Sequence, residues 1–221
     1  MDAWTSYTTF AKLMLRLFEF LDRFHLKHRD EQLLGDRALS IVNTECILDS
    51  QVLEPLRKEI IDKFRQDRNR NVIDRYLLRK VTDVFVDMGQ KLTRPMKGDT
   101  TYYWAGDRCL DQYNKHFEAI LLQKCSDEYG IKAQTWLAEN NVPAYLKLVD
   151  EAHIHEEMIC NDLLEPESKP KYLDCIDKQL IASRQDEIID HETGCLFMIL
   201  NKRYDELQLM YKCFKRNPEN L

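Results

Sequence analysis

The stretch DRYLLRKVTDVFVDMG, residues 74–89, predicts one amphipathic helix and indicates the fold class of the chain. Its apolar side chains recur at intervals of three and four residues, which is the spacing of a single helix face. Asp74 is a residue type that caps helix N-termini, and Gly89 is the type found just beyond helix ends. The buried face is expected to contain Leu77, Leu78, Val81, Val84, Phe85 and Met88.

Helical spacing continues on both sides of this stretch, and no segment carries a strand signal. The long helix downstream has a weak point at Gly130, and the helix after it starts at Asn141 with Pro143 in its first turn. The other expected helices cover residues 4–28, 34–47, 52–64, 113–137, 195–201 and 204–214, with one more opening near residue 172 after a break at residues 166–170.

The composition also favours helices. Glycine and proline number only 6 each in 221 residues, whereas a compact fold rich in strands uses more of both in its turns. Hydrophobic residues make up 44% of the chain, which is enough to bury a core. We therefore expect an all-α fold, in which one large domain, two small ones and an elongated repeat of stacked helical bundles all stay open.

The helical pattern lapses over residues 90–107, where glycine and proline accompany the aromatic run Tyr102, Tyr103 and Trp104. A loop of this length is typical of a boundary between modules. We expect one segment at residues 1–89, a loop at residues 90–110 and a second segment at residues 111–221. The aromatic run has two interpretations: it folds back over the core, or it forms a binding hot spot.

Charge and cysteine usage exclude several classes of partner. The formal net charge of −6 disfavours nucleic acid and anionic membrane. The basic run KFRQDRNR, residues 63–70, is interpreted as a solvated helix C-terminus rather than a phosphate-binding patch, because cations there complement the helix dipole. Seven cysteines without a CxxC pair, and no apolar run long enough to span a bilayer, indicate a cytoplasmic or nuclear protein.

Catalytic chemistry has little support in the sequence. The one tempting cluster is HIHEE, residues 153–157, but its histidines are two residues apart and a helix directs them to different sides. No phosphate-binding glycine loop or nucleophile motif occurs, so we expect no cofactor and no metal. The enzyme hypothesis that competes with this view is a metal-dependent hydrolase using His153, His155 and His191.

The first predicted helix is apolar on more than one face, because Phe18 and Phe20 widen its apolar surface. Such a helix is either central in a bundle or also faces a partner. We expect Leu13, Leu17 and Leu21 in the core, and the role of Phe20 stays open.

Six stretches, taken in order, resemble cullins, the family of backbone subunits of modular ubiquitin ligases. YNKHFEAILL is similar to the YxxxFE start of a long cullin helix, and LQLMYKCFKRNPENL is similar to a Leu-x-x-Met-Tyr element of the third cullin repeat. The stretches are LFEFLDRF (17–24), residues 37–69, VIDRYLLRKVTDVFVDMG (72–89), YNKHFEAILL (113–122), TWLAENNVPAYLKLVDEAHIHEE (135–157) and LQLMYKCFKRNPENL (207–221).

The resemblance implies a non-catalytic scaffold made of stacked five-helix repeats. The chain would run from the end of the first repeat, through the second, into the third. A substrate adaptor of the F-box-linker or BTB type would dock at its N-terminal tip, with lower affinity because an earlier adaptor-contacting helix is not represented. The C-terminal cullin domain is not represented either, so no RING protein is expected on this chain alone.

By the same resemblance, the interface aromatic falls at Phe20, with Leu13, Arg16 and Phe24 as its neighbours. The leading hypothesis is a scaffold that holds its partners at a fixed separation. The alternative is a truncated cullin paralogue that competes for adaptors or has lost the ligase role. The two hypotheses differ in whether Phe20 and its neighbours still bind an adaptor.

Overall fold

The computed structural model of the protein describes residues 2–21, 34–42, 45, 49–89, 92–93, 103–104 and 109–216. Helices dominate these residues, so the predicted all-α fold class is confirmed. The elements are α1 Asp2–Leu17, α2 Glu19–Leu21, α3 Leu34–Val42, α4 Ser50–Arg68, α5 Arg75–Asp87, β1 Leu92–Thr93, β2 Tyr103–Trp104, α6 Asp111–Tyr113, α7 Ala119–Glu139, α8 Val142–Leu163, α9 Ser168–Leu180, α10 Gln185–Asp190, α11 Cys195–Leu200 and α12 Tyr204–Lys215.

The helix bounds agree with the periodicity of the sequence in most places. The helix predicted from residues 74–89 is α5, and the helix predicted to start at Asn141 is α8. The Asn141 side chain accepts a hydrogen bond from the Ala144 N–H at 2.9 Å, which is N-cap geometry. In contrast, α7 continues through Gly130 without a break, so the predicted weak point does not interrupt the helix.

The segment predicted as a loop contains a short antiparallel ladder that the sequence did not suggest. Leu92 lies opposite Trp104, and Thr93 lies opposite Tyr103. Tyr102 and most of the remaining loop lie outside the described residues, so both interpretations of the aromatic run stay open.

The chain divides into two compact units. Unit 1 contains Met1–Phe64 and Tyr76–Phe117, and unit 2 contains Arg65–Arg75 and Glu118–Leu221. These bounds differ from the predicted segments at residues 1–89 and 111–221, because the end of α4 and the connection to α5 pack with the later helices. The assignment of the segments to successive repeats stays a prediction.

The core of unit 1 is built around the Phe117 ring. The rings of Tyr113, Phe85 and Phe64 lie 5.2, 5.8 and 6.0 Å from it, between centroids. These distances are within the range of favourable aromatic pairing. The predicted burial of Leu78 and Phe85 on α5, and of Met88 just after it, is confirmed. Leu77, in contrast, is 47% exposed, and Thr82 and Val86 are buried although they were not predicted to be.

The core of unit 2 is formed mainly by α7, α8 and α9. Tyr145, Leu146 and Val149 on α8 are fully buried, and Ile176 and Leu180 on α9 are buried with them.

None of the helices in the described residues combines the length and the hydropathy that a transmembrane span requires.

The basic run at residues 63–70 does end a helix, since α4 ends at Arg68, and Arg65, Asn69 and Arg70 are exposed as predicted. The predicted solvation is wrong for Asp67 and Arg68. Asp67 and Arg68 are only 4% and 8% exposed. Both side chains have ionic partners within unit 2, which is why they can be buried.

Candidate functional site

Helix α1 buries the apolar side chains of Ala11 and Leu15 within unit 1. Ala11 and Leu15, four residues apart on one helix face, are 6% and 4% exposed. On the same side, the Tyr7 hydroxyl donates a hydrogen bond to the Ala38 carbonyl of α3 at 2.7 Å. This packing fixes which side of α1 faces the protein. The expectation that Leu13, Leu17 and Leu21 belong to the core is therefore wrong.

The opposite side of α1 carries an exposed apolar row, which we call the α1 stripe. It consists of Phe10, Leu13, Leu17 and Phe20, which are 58%, 54%, 74% and 63% exposed. Intervals of three and four residues place all four on one helix face. An exposed apolar row of this kind is typical of a surface that binds another protein.

The break between α1 and α2 does not disrupt this row. The Phe18 N–H donates to the Met14 carbonyl at 3.0 Å, and the Leu21 N–H donates to the Phe18 carbonyl at 2.9 Å. The backbone therefore keeps winding through Phe18, and Phe20 stays in line with Leu17.

Three of the four residues expected at an adaptor interface lie together on this exposed surface. Leu13, Arg16 and Phe20 are three and four residues apart and all are exposed. Phe24 lies outside the described residues. Sequence reasoning missed Phe10 and Leu17 as members of the same surface, although their spacing from Leu13 could have indicated them.

The charged residues near the α1 stripe are basic between residues 3 and 18 and acidic at both ends, where Asp2 and Glu19 lie. Lys12 and Arg16 lie in this helix, and residues 3–18 contain no acidic side chain. This local charge is opposite in sign to the net charge of the chain, which is −6. A partner surface that combines apolar side chains with an acidic rim would complement it.

A cleft lies on the inner side of α1, against α3. Its volume is about 340 Å³, and its walls are apolar. The side chains that line it include those of Tyr7, Met14, Leu15, Leu34 and Ala38.

Helix α1 is also tied to α5 in unit 1. Partial burial raises the pKa of Asp87 on α5, and a hydrogen bond from Trp4 of α1 opposes that rise. Because Trp4 donates this hydrogen bond, it helps to hold α1 in the orientation that exposes the stripe.

Two of the three histidines proposed for metal chemistry have structural partners. His153 Nδ1 lies 2.9 Å from Asp177 Oδ1, and His191 Nδ1 lies 3.0 Å from the Thr193 hydroxyl. Within the described ranges, no three His, Cys, Asp or Glu side chains are arranged to hold a metal ion.

The buried cysteines are poor nucleophiles. Burial raises the pKa of Cys125 to about 12 and that of Cys213 to about 11, so both thiols stay protonated near neutral pH.

Comparison with known proteins agrees with the helical architecture. The family description that matches, over residues 1–221, is the cullin alpha solenoid domain. The chain is 23% identical to Cullin-3 of Dictyostelium discoideum and 22% identical to Cullin-2 of Arabidopsis thaliana, covering 100% and 99% of this chain. It is also 22% identical to putative cullin-like protein 2 of Arabidopsis thaliana over 99% of this chain and 54% of that protein.

The chain spans only about a quarter of the length of the first two relatives, 26% and 27%. The family match nevertheless covers every residue of the sequence. The chain belongs to the cullin family.

Proposed function

We propose that this protein is a non-catalytic scaffold of a cullin-RING ubiquitin ligase and binds a substrate adaptor through the N-terminal helix. The observation that carries the proposal is the exposure of Phe20, at 63%, beside the exposed Leu13 and Arg16. The proposal takes the adaptor role from the cullin resemblance. Phe24 is part of the proposed interface by that resemblance alone.

The physical basis of binding would be burial of the α1 stripe. A phenylalanine anchor that becomes buried in a partner pocket typically contributes at least about 2 kcal/mol when truncation to alanine is measured. Arg16 would add a rim contact that affects association rate and specificity more than affinity. An F-box-linker adaptor and a BTB adaptor are both candidates for this surface.

A scaffold of this kind acts by holding its partners at a fixed separation, so it needs no catalytic side chain. Protonated thiols at Cys125 and Cys213, and histidines tied to Asp177 and Thr193, support a non-catalytic role. The proposed compartment is the cytosol or the nucleus, where ubiquitin ligases of the cullin type work. Nothing in the family match or the named relatives favours a competitor paralogue or a metal-dependent hydrolase.

The test is a binding titration of the purified chain against an F-box-linker adaptor and a BTB adaptor. Phe20→Ala is expected to weaken binding at least about 30-fold, which corresponds to about 2 kcal/mol. Tyr211→Ala is the matched control, because Tyr211 is a similarly exposed aromatic, at 60%, on α12 of unit 2.

The titration distinguishes adaptor docking on α1 from the absence of adaptor binding. Weaker binding in Phe20→Ala but not in Tyr211→Ala would support adaptor docking on α1. If neither adaptor binds at high micromolar concentration, the adaptor-binding role is wrong, although the family assignment would stand.

A further inference from the structure

Unit 2 contains charged and hydroxyl-bearing side chains that are almost wholly shielded from solvent. The Arg68 and Glu156 side chains are 2% and 0% exposed. Tyr129 and Tyr172 are buried beside them. Together with Glu128, which is partly buried, these side chains form what we call the Arg68 network.

The Arg68 guanidinium has partners on three different helices. Its Nη1 pairs with Glu128 Oε2 of α7, and its Nη2 donates to the Tyr172 hydroxyl of α9 at 2.9 Å. Its Nε lies 3.0 Å from Glu156 Oε1 of α8. The Glu156 carboxylate also accepts hydrogen bonds from the hydroxyls of Tyr129, at 2.6 Å, and Tyr172, at 2.9 Å.

The hydrogen bonds of this network have a fixed direction. Arginine only donates and an ionised carboxylate only accepts, so Tyr172 must accept from Arg68 and donate to Glu156. Burial alone would lower the pKa of Arg68, but the electrostatic effects of Tyr172 and of the neighbouring thiol and carboxylates raise it. A shift of Arg68 along the axis of α4 would leave these buried groups unpaired, at a large cost.

The segment that contains Arg68 has few apolar side chains to position it. Residues 65–75, RQDRNRNVIDR, belong to unit 2 and include only Val72 and Ile73 as apolar residues. Val72 is fully exposed and Ile73 is half-buried. The apolar side chains of residues 65–75 therefore contribute little packing of their own, and the nearest fully buried apolar side chain of α4 is that of Phe64.

Two other arginines hold the same segment from more exposed positions. Arg65 Nε donates to Glu128 Oε1 at 2.7 Å. Arg75 donates to both oxygens of Asp67, at 2.9 and 3.0 Å, and to Asp162 at 2.6 Å. The side chains of Arg65 and Arg75 are 52% and 35% exposed, so water competes for their ion pairs more than for those of Arg68.

We propose that the Arg68 network is a register lock, which holds residues 65–75 in one position within unit 2 and contributes position rather than net stability. Replacing a buried ion pair with apolar side chains of similar volume is often neutral, because the desolvation of both charges offsets their attraction. Positional selectivity is a different property, because a displaced Arg68 would lose its contacts with Glu128, Glu156 and Tyr172 together. The Nε of Arg68 takes part through its ion pair with Glu156 and makes no hydrogen bond.

The test is hydrogen–deuterium exchange on the full chain, comparing the amides of residues 66–71 with those of residues 144–150 in α8. In the quadruple variant Arg68→Met, Glu156→Met, Tyr129→Phe, Tyr172→Phe, which also removes the two buried hydroxyls that would lose their partners, we expect an unchanged denaturation midpoint and unchanged protection in α8. The amides of residues 66–71 should exchange at least about tenfold faster.

Three results would overturn the proposal. Wild-type protection of residues 66–71 in the folded quadruple variant would show that no lock exists. Equal loss of protection in both segments, or a quadruple variant that does not fold, would show that the network supplies stability.

A milder pair of variants tests positioning by itself. Tyr172→Phe removes one hydroxyl of the network and is expected to speed exchange at residues 66–71 several-fold. Tyr145→Phe is the matched control, because Tyr145 is equally buried and its hydroxyl donates to the Leu180 carbonyl outside the network. Equal exchange at residues 66–71 in the two variants would contradict the lock.

Discussion

Gly130 lies inside α7, with regular helix on both sides. A Cβ at this position would meet only the Gln179 side-chain oxygen, at 3.4 Å, which is ordinary contact. Because glycine is a poorer helix former than alanine, Gly130→Ala is expected to raise the free energy of unfolding by about 0.5–1 kcal/mol. Urea denaturation followed by circular dichroism would measure this, and a lower midpoint would contradict it.

Asp150 on α8 is the residue whose titration should affect α12. Burial alone would raise its pKa, but hydrogen bonds from Lys212 and Arg216 lower it below its ordinary value of 3.8. A lowered pKa means that the folded protein binds a proton less readily than the unfolded chain does. The stabilisation from this carboxylate is therefore present above about pH 4 and is lost as the pH falls through the lowered pKa.

We expect Asp150→Asn to cost about 1 kcal/mol at neutral pH, because two charge-assisted hydrogen bonds lose their ionised acceptor. The variant should also lose less stability than the wild type between pH 5 and pH 2. Denaturation midpoints measured across this range would check both statements. Parallel pH profiles of the two proteins would contradict the assignment to Asp150.

Gly89 was correctly predicted to lie just beyond a helix end, but the structure gives a different reason for the glycine. The residue was predicted to mark the end of a helix, and α5 does end two residues before it. A Cβ on Gly89 would lie 2.1 Å from the Cys109 carbonyl oxygen, so the close approach of the backbone at Cys109 requires glycine. The sequence shows the glycine, but the contact depends on a residue 20 positions away, which local patterns do not predict.

At the scale of single elements, the start of α8 depends on its N-cap. The Asn141 side chain satisfies one of the N–H groups that the first helical turn leaves unpaired, that of Ala144. Asn141→Ala is expected to lower the free energy of unfolding by about 1 kcal/mol, whereas Asn141→Asp should preserve the cap. Thermal and urea denaturation of both variants would test this, and equal losses would argue against capping as the cause.

Helix α1 was predicted as an element, but its buried face was not. A helix that is apolar on several sides has more than one candidate inner face, and the local spacing of Leu13, Leu17 and Leu21 is as good as that of Ala11 and Leu15. The choice is made by packing against α3, as the Tyr7 hydrogen bond to Ala38 shows. Such tertiary contacts are 31 residues apart in sequence and leave no periodic signal.

The end of α4 gives the opposite case, in which two charged residues of a polar run, Asp67 and Arg68, are buried. Residues 63–70 were predicted to be a solvated helix end because cations there complement the helix dipole. Arg68 is buried because its partners, Glu128, Glu156 and Tyr172, lie 60 to 104 residues downstream. Local charge patterns predicted the helix end correctly, but burial depended on long-range pairing that a single sequence does not display.

At the scale of the whole molecule, the family was predictable although no chemical motif was present. Six stretches in cullin-like order are distributed between residues 17 and 221, and the family match extends over the whole chain. The candidate site at Leu13, Arg16 and Phe20 was carried over from that resemblance, and its exposure is consistent with docking. A scaffold has no catalytic signature because its function depends on surfaces and spacing.

The last prediction follows from which domain of the cullins this chain matches. Residues 1–221 match the cullin alpha solenoid domain and span 26% and 27% of Cullin-3 and Cullin-2, whereas the resemblance assigns RING binding to the C-terminal cullin domain. A stable interface usually needs at least about 1,000 Å² of complementary surface, which a RING protein would then lack on this chain. We therefore expect the chain to bind an adaptor without recruiting a RING protein.

The measurement is size-exclusion chromatography of the chain mixed with an adaptor, with a RING protein, or with both, followed by a ubiquitin-transfer assay on the mixture. We expect a shifted peak with the adaptor alone, no additional shift with the RING protein and no transfer above the level of the RING protein by itself. Adaptor binding controls for a misfolded sample, because a chain that cannot fold would bind neither protein. Co-elution with the RING protein would contradict the prediction and would place a RING-binding surface within these 221 residues.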